Sequence, residues 1–413
     1  MKHIDQFPTT SADNYRVWAH IDLDALVNNY LVSRDYIHAQ NPDSAAVAVI
    51  KADAYGHGIE PCARALYSAG CRHFAVACAE EGIAIRQALA DMEALSPALC
   101  EILVLGYTNP ACVSLLDEFR LTQTLFSPEY AKDLHASAKT AGKKLCVHVK
   151  VDTGMHRIGY PAFSPEEAEK TVADICTLQD AYDAFDVQGL FTHLSDADCG
   201  NFCYEQWHRF LAVKQGLEAY GKCPPVCHAC NSPGCMRYPE TYLDGVRLGA
   251  LLFGVAPVIP PEVDRNPGCN LFPAELLRPV MRLQTKIIQL HKVAAGEPVG
   301  YGALYRADRD RTIATLSAGY ADGWRRAYAD TDVTVHTSAG DATARMVGRI
   351  CMDLCMIDVT DLACRVGDVV TLFGNDVQSL ASLAKHAGSI AYEVPCLVTA
   401  RVPRIYHESK NDQ

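Results

Sequence analysis

The chain has 413 residues, with 37 Lys and Arg against 49 Asp and Glu, a formal net charge of −12. A 49% hydrophobic share beside 21% charged residues describes a folded chain and excludes a mainly disordered one. The acidic balance, with no Lys/Arg-rich run, argues against nucleic acid as a main partner, and 18 cysteines spread over such a length do not make a disulfide scaffold.

The length predicts two domains or three. At the amino terminus, Met1–Pro8 has no apolar stretch behind its basic residue, and no run approaches the ~18 apolar residues of a membrane-spanning helix. A cytoplasmic protein with mostly reduced cysteines is expected. Short apolar runs bounded by turn residues then alternate with helical patterns. Strands are predicted at 45–50, 73–77, 101–105, 121–126, 145–151, 185–191, 225–228 and 245–248. Between them, Pro61 sits just inside a helix start and Gly70 follows its last turn, while Pro128 opens a helix running to Gly142. About eight strand–helix units in series point to a closed parallel (β/α)8 barrel of ~250 residues. An open doubly wound sheet shares the alternation and is the competing fold.

After Pro273 the pattern changes. Strands are predicted at 281–293, 312–317, 333–337, 346–350, 355–359, 369–373 and 398–406, with one helix at 380–386 and Asp/Gly or Ala/Gly turns between. The expected architecture is α/β: an N-terminal (β/α)8 barrel over residues 1–273 and a mostly-β C-terminal domain over 274–413. No low-complexity linker separates them.

The chemistry gathers at strand ends. Ala46-Val47-Ala48-Val49-Ile50 ends at Lys51, followed by Ala52-Asp53-Ala54-Tyr55-Gly56-His57-Gly58. A lysine there lies at the C-terminal face of a barrel, where catalytic groups of this fold collect, and partial desolvation makes an amine a nucleophile for aldehydes. By itself it is also a solvated loop lysine. Lys150-Val151-Asp152-Thr153-Gly154-Met155-His156-Arg157 follows another strand and offers a guanidinium fork beyond a turn. Thr192-His193 and Val246-Arg247-Leu248-Gly249 end two more. Cys227-His228-Ala229-Cys230, with Cys223 and Cys235 near, suggests zinc, but no second knuckle is present and no metal is expected.

The run Val49 to Gly58 resembles the cofactor-lysine segment of the alanine racemases, which carry pyridoxal 5'-phosphate on a barrel fold. The 150–159, 227–232, 246–249, 300–305, 319–324, 348–353 and 389–393 segments extend the resemblance over about residues 17 to 406. It implies that Lys51 holds the cofactor, with Tyr55, His193, Ser232, Arg247, Gly249 and Tyr392 as further cofactor-binding residues. Arg157 would lie beside the ring's phenolic oxygen and the substrate carboxylate, helped by Lys150, a position at which the family often has a carbamylated lysine. Ser232, Gly249 and Tyr392 would meet the phosphate. Arg247 would hydrogen-bond the pyridine nitrogen and keep it unprotonated, and His193 would be a relay. Met352 and Tyr320 would serve the substrate, through a backbone amide and at the entrance. Tyr301 would be the second base, supplied to the active site of the partner subunit in a homodimer. Ala391 stands where the family commonly has asparagine and Phe253 where tyrosine is common.

The resemblance implies an isomerase, an alanine racemase making D-alanine from L-alanine and the reverse by a two-base Lys51/Tyr301 mechanism. The alternatives are a serine or broader-specificity racemase and, in a different class, a non-catalytic carrier of the cofactor. Single-domain barrels of the last kind lack both the β-rich portion and Tyr301.

Overall fold

The computed structural model describes residues 14–94, 100–257 and 272–409; Met1–Pro8, expected to carry no leader, lies outside them. By packing, the chain divides into two units. One is Leu26–Ala54 with Ile59–Arg278, and the other is Met1–Ala25 with Tyr55–Gly58 and Pro279–Gln413. This differs from a linear cut at 273/274, because strand Val17–Asp22 pairs antiparallel with Met281–Val293. The early strand escapes a purely local reading because its partner lies more than 250 residues away.

The first unit is a parallel barrel. Its strands run in the order Gly245–Leu248, Ala45–Val49, His73–Val76, Glu101–Val104, Thr122–Leu125, Leu145–Asp152, Phe185–Phe191 and Val226–His228. A parallel bridge between Asn231 and Arg247 joins the last to the first, with Arg247 N donating to Cys230 O (3.1 Å) and Asp244 N to Cys227 O (3.0 Å). The sheet therefore closes. All eight predicted strands are present to within a residue or two at their ends. They are legible because strands of a parallel sheet, covered on both faces, are short continuous apolar runs. The helices between them start and stop on local chemistry. Ser127 caps Pro128–Ala141 by accepting from Tyr130 N, and Gly142 ends it at φ 65°. Ser164 and Glu167 form a capping box on Pro165–Ala181.

In the β-rich unit, Met281–Val293 pairs with both Arg311–Leu316 and Val369–Phe373. Cys355–Asp358, Gly340–Val347 and Asp332–Thr337 complete the ring between those two partners. Val17–Asp22 joins the long strand's other end and pairs parallel with Arg404–His407. Two expectations are corrected here. The strand expected at 346–350 is the end of a longer one, Gly340–Val347. The strand expected at 398–406 shrinks to Arg404–His407, because a turn closed by Val402 N on Thr399 O occupies the preceding residues. Among the described residues no helix is long and apolar enough to cross a membrane.

Candidate functional site

Lys51 follows the strand Ala45–Val49, and the backbone after it turns the wrong way for L-residues. Ala52, Asp53, Ala54 and Tyr55 all have φ of 53–54°. Each such residue costs roughly 1–2 kcal/mol, so the turn needs support. Glu81 supplies it from helix Ala79–Glu93: Oε1 accepts from Ala52 N (2.6 Å) and Asp53 N (3.4 Å), and Oε2 from Ala77 N (2.9 Å). Asp53 Oδ1 accepts from Ile59 N at 2.8 Å. The turn ends on glycines that cannot be replaced without strain. A Cβ on Gly56 (φ 81°) would meet Pro395 O at 2.2 Å, and one on Gly58 (φ 96°) would meet Tyr406 Oη at 1.9 Å.

In the barrel unit, Lys51, Lys150, Arg157, His193 and Arg247 come together. Lys150 is buried on the strand Leu145–Asp152. Burial, then the charges of Arg157 and Arg247, push its amine down to about 7; Asp152 opposes the shift and Lys51 adds to it. Asp152 is the carboxylate of the group, and it is committed to backbone. It accepts from Gly154 N (3.0 Å), His156 N (3.1 Å) and Arg157 N (3.0 Å). That clamp fixes the loop carrying Arg157, whose side chain is exposed.

Arg247 is buried on the strand Gly245–Leu248, and its bonds go to neutral acceptors. Nη2 donates to Thr192 O (2.7 Å), Ala229 O (2.9 Å) and, at 3.4 Å, His193 Nδ1, and Nη1 donates to His228 Nδ1 at 2.6 Å. Its guanidinium also lies 5.5 Å from the centre of the Phe191 ring. Burial pushes the arginine down to about 10. Burial, then Arg247, Arg157, Lys150 and Lys51, hold His193 well below the usual imidazole range.

Ser232 opens the short helix Ser232–Arg237, capped by Asn231, and its Oγ accepts from Gly249 N at 2.9 Å. These two expected phosphate neighbours are thus adjacent and buried. The cysteines of the suspected zinc motif go elsewhere: Cys227, Cys230 and Cys235 are buried among core residues, and His228 is committed to Arg247 and to His148.

In the β-rich unit, Tyr55 lies beside Tyr392 and Cys396, and its hydroxyl is raised by burial first and then by those two neighbours. Tyr320 N donates to Cys351 O (3.0 Å) and Ala321 N to Met352 O (2.9 Å), which brings Tyr320 and Met352 together. Tyr301 stands on the turn Tyr301–Ala303, where Gly302 closely approaches the Arg349 guanidinium. It is 70% exposed, Met352 54% and Tyr320 41%.

Three participants escaped the sequence reading: Glu81, Phe191 and His148. His148 carried a signal, since it sits two residues before Lys150 on one strand and so shares its face.

The N-terminal domain of alanine racemase matches residues 21–257 and its C-terminal domain residues 280–406. An alanine racemase of Desulfovibrio desulfuricans is 37% identical over 397 residues, covering 95% of this chain and 98% of its own. One of Desulforamulus reducens is 37% identical over 394 residues, covering 94% and 98%. Among solved structures, the alanine racemase of Clostridium difficile 630 superposes with a TM-score of 0.81 at 34% identity, with 96% of each chain covered. That of Streptomyces coelicolor gives 0.82 at 30% identity, with 96% of this chain and 99% of its own covered. By sequence over nearly its whole length and by fold, the chain belongs to the alanine racemase family.

Proposed function

We propose that the chain is an amino-acid racemase that interconverts L- and D-alanine with pyridoxal 5'-phosphate, as a homodimer in the cytoplasm. The observation that carries this reading is the charge balance in the barrel. Arg157, Arg247 and Lys51 all act against the charge of buried Lys150, with Asp152 opposing them, and backbone amides already occupy that carboxylate. Buried charge calls for a partner, and a phosphate ester with a phenolic oxygen supplies the missing negative charge, so these residues fit the cofactor.

When bound, this cofactor draws electrons from the substrate Cα and makes its proton acidic. Lys51 is assigned as its covalent anchor. The Ser232 hydroxyl and the Gly249 amide, with Tyr55 and Tyr392, are assigned to the phosphate, and Arg247, as a donor, to the ring nitrogen. His193 is assigned as the relay beside Arg247. Arg157 and the Met352 amide orient the substrate carboxylate, and Tyr320 lines the entrance. Tyr301 removes the proton from the L form and Lys51 from the D form, and each returns one on its own face. The exposure of Tyr301, with Leu304 (67%) three residues on and the Arg349 guanidinium against the same turn, supports a second copy covering that surface and receiving the phenol. The cofactor is assigned to the barrel, expected over residues 1–273, and the second base to residues 274–413. A carbamate on Lys150, formed by its neutral amine adding to CO2 with loss of a proton, would place a second anion beside Arg157. An amine held near 7 favours that reaction.

The test is a circular-dichroism assay with L-alanine and L-serine as separate substrates, beside Lys51→Ala. That variant is expected to lose the visible absorbance of bound cofactor and about 10⁴-fold in turnover; retained turnover overturns the assignment. Faster turnover of serine would move the function to a serine or broader-specificity racemase, and bound cofactor without turnover of either would make the chain a carrier. Tyr301→Phe should slow proton removal from L-alanine by about 10²-fold or more without loss of cofactor. Mixing the two inactive variants should restore activity through hybrid dimers.

A further inference from the structure

Behind Arg247, the barrel interior holds a chain of polar groups that the proposed chemistry does not use. Arg247 Nη1 lies 2.6 Å from His228 Nδ1, and His228 Nε2 lies 3.1 Å from His148 Nδ1. All three side chains are buried. His148 also lines a cavity of about 430 Å³ shared with Glu101, Lys144 and Gln188, near the N-terminal ends of the barrel strands.

The chain has one possible direction. A guanidinium has only donors, so His228 Nδ1 accepts and carries no proton. The proton of the neutral ring is then on Nε2, which donates to Nδ1 of His148. That nitrogen is an acceptor in turn, leaving the proton of His148 on its own Nε2. Any other arrangement sets N–H against N–H inside a buried core, where an unmade bond costs about 1–3 kcal/mol. Both rings are kept neutral by burial: His148 is lowered to about 4, with Glu101 opposing and Arg247 adding, and His228 is lowered well below its usual value. Phe191 stacks on His228, centroids 4.8 Å apart and planes within 7°, which fixes the ring that passes the bond along.

We propose that His148 is a positioning residue for Arg247: by accepting from His228 Nε2 it holds His228 in the tautomer whose Nδ1 accepts from Arg247, and so fixes in place the guanidinium assigned to the ring nitrogen. This rests on the assignment of Arg247 to the ring nitrogen. Its consequence is selectivity, because an unprotonated ring holds electrons weakly and returns them to Cα before side reactions intervene.

The experiment uses the holoenzyme with ¹⁵N-labelled histidine. Wild type should show both His148 and His228 as the Nε2–H form; an Nδ1–H form of His228 overturns the proposal. His148→Phe removes the acceptor, and should raise release of pyruvate with aminated cofactor, relative to racemisation, about tenfold. His148→Asn keeps an oxygen acceptor near the Nδ1 position and should restore the wild-type partition. A folded His148→Phe with unchanged His228 tautomer and unchanged partition overturns the role. Should His148→Phe fail to fold, the wild-type tautomers and the Asn variant decide. An Arg247→Lys variant whose partition matches wild type would instead sink the ring-nitrogen assignment, leaving the tautomer result standing.

Discussion

Asp322 in the β-rich unit and Lys150 in the barrel are both buried ionisable groups, and their surroundings are opposite. Asp322 is fully buried and satisfied several times over. Both terminal nitrogens of Arg16 donate to it, Arg401 Nε lies 3.1 Å away, and Gly319 N donates at 3.0 Å. Lys150 is buried too, yet Arg157, Arg247 and Lys51 press on it and its nearby carboxylate is taken by backbone. The first centre is complete within the chain and ties the residues around 16, 319 and 401 together. The second carries excess charge, the condition of a site shaped for something the chain does not itself contain.

Substitutions at the two centres should therefore have opposite signs. The largest effect is expected at Asp322. Asp322→Asn removes the buried charge that two guanidinium groups share and should lower unfolding stability by about 3 kcal/mol, at the low end for a broken buried pair because Arg16 and Arg401 keep some solvent and their contacts with Ser317 O and Asp353. Denaturant titration measures it, and a loss below about 0.5 kcal/mol would erase the contrast. Lys150→Met, in the chain stripped of cofactor and CO2, should instead stabilise by about 1–3 kcal/mol at pH 6. The sign follows from linkage. With a folded value near 7 against 10.5 in the open chain, the native state binds fewer protons between those values, so wild-type stability rises with pH across that window. The advantage of Lys150→Met is thus full below pH 7 and vanishes toward pH 10.5; a constant gap would contradict the cause. The smallest effect is expected at Glu81, outside both centres. Glu81→Gln keeps the shape but weakens the acceptor under the turn after Lys51, costing about 1 kcal/mol and speeding hydrogen exchange at the Ala52 and Asp53 amides.

Both centres bear on what the sequence could disclose. The barrel strands were legible because each is a local apolar run, whereas Lys51, Lys150, Arg157 and Arg247 were singled out through the family resemblance, a position at a strand end being equally that of a solvated loop residue. Their mutual proximity, and the commitment of Asp152 to backbone, depend on strands distant in sequence. Val17–Asp22 was missed for the same reason, since only pairing with Met281–Val293 makes it a sheet strand. The strand expected through 398–402 failed because β-branched residues there serve a turn, and propensity yields to tertiary context. The four positive φ angles after Lys51 leave little trace either: Asp tolerates such a backbone, but Ala, Ala and Tyr do not announce it.

That backbone has a consequence for the chain's own stereochemistry. Ala52 and Ala54 are held in the shape that the opposite enantiomer of alanine prefers. Semisynthesis placing D-alanine at those two positions should relieve the local cost instead of adding to it, making a protein firmer by inverting two of its stereocentres.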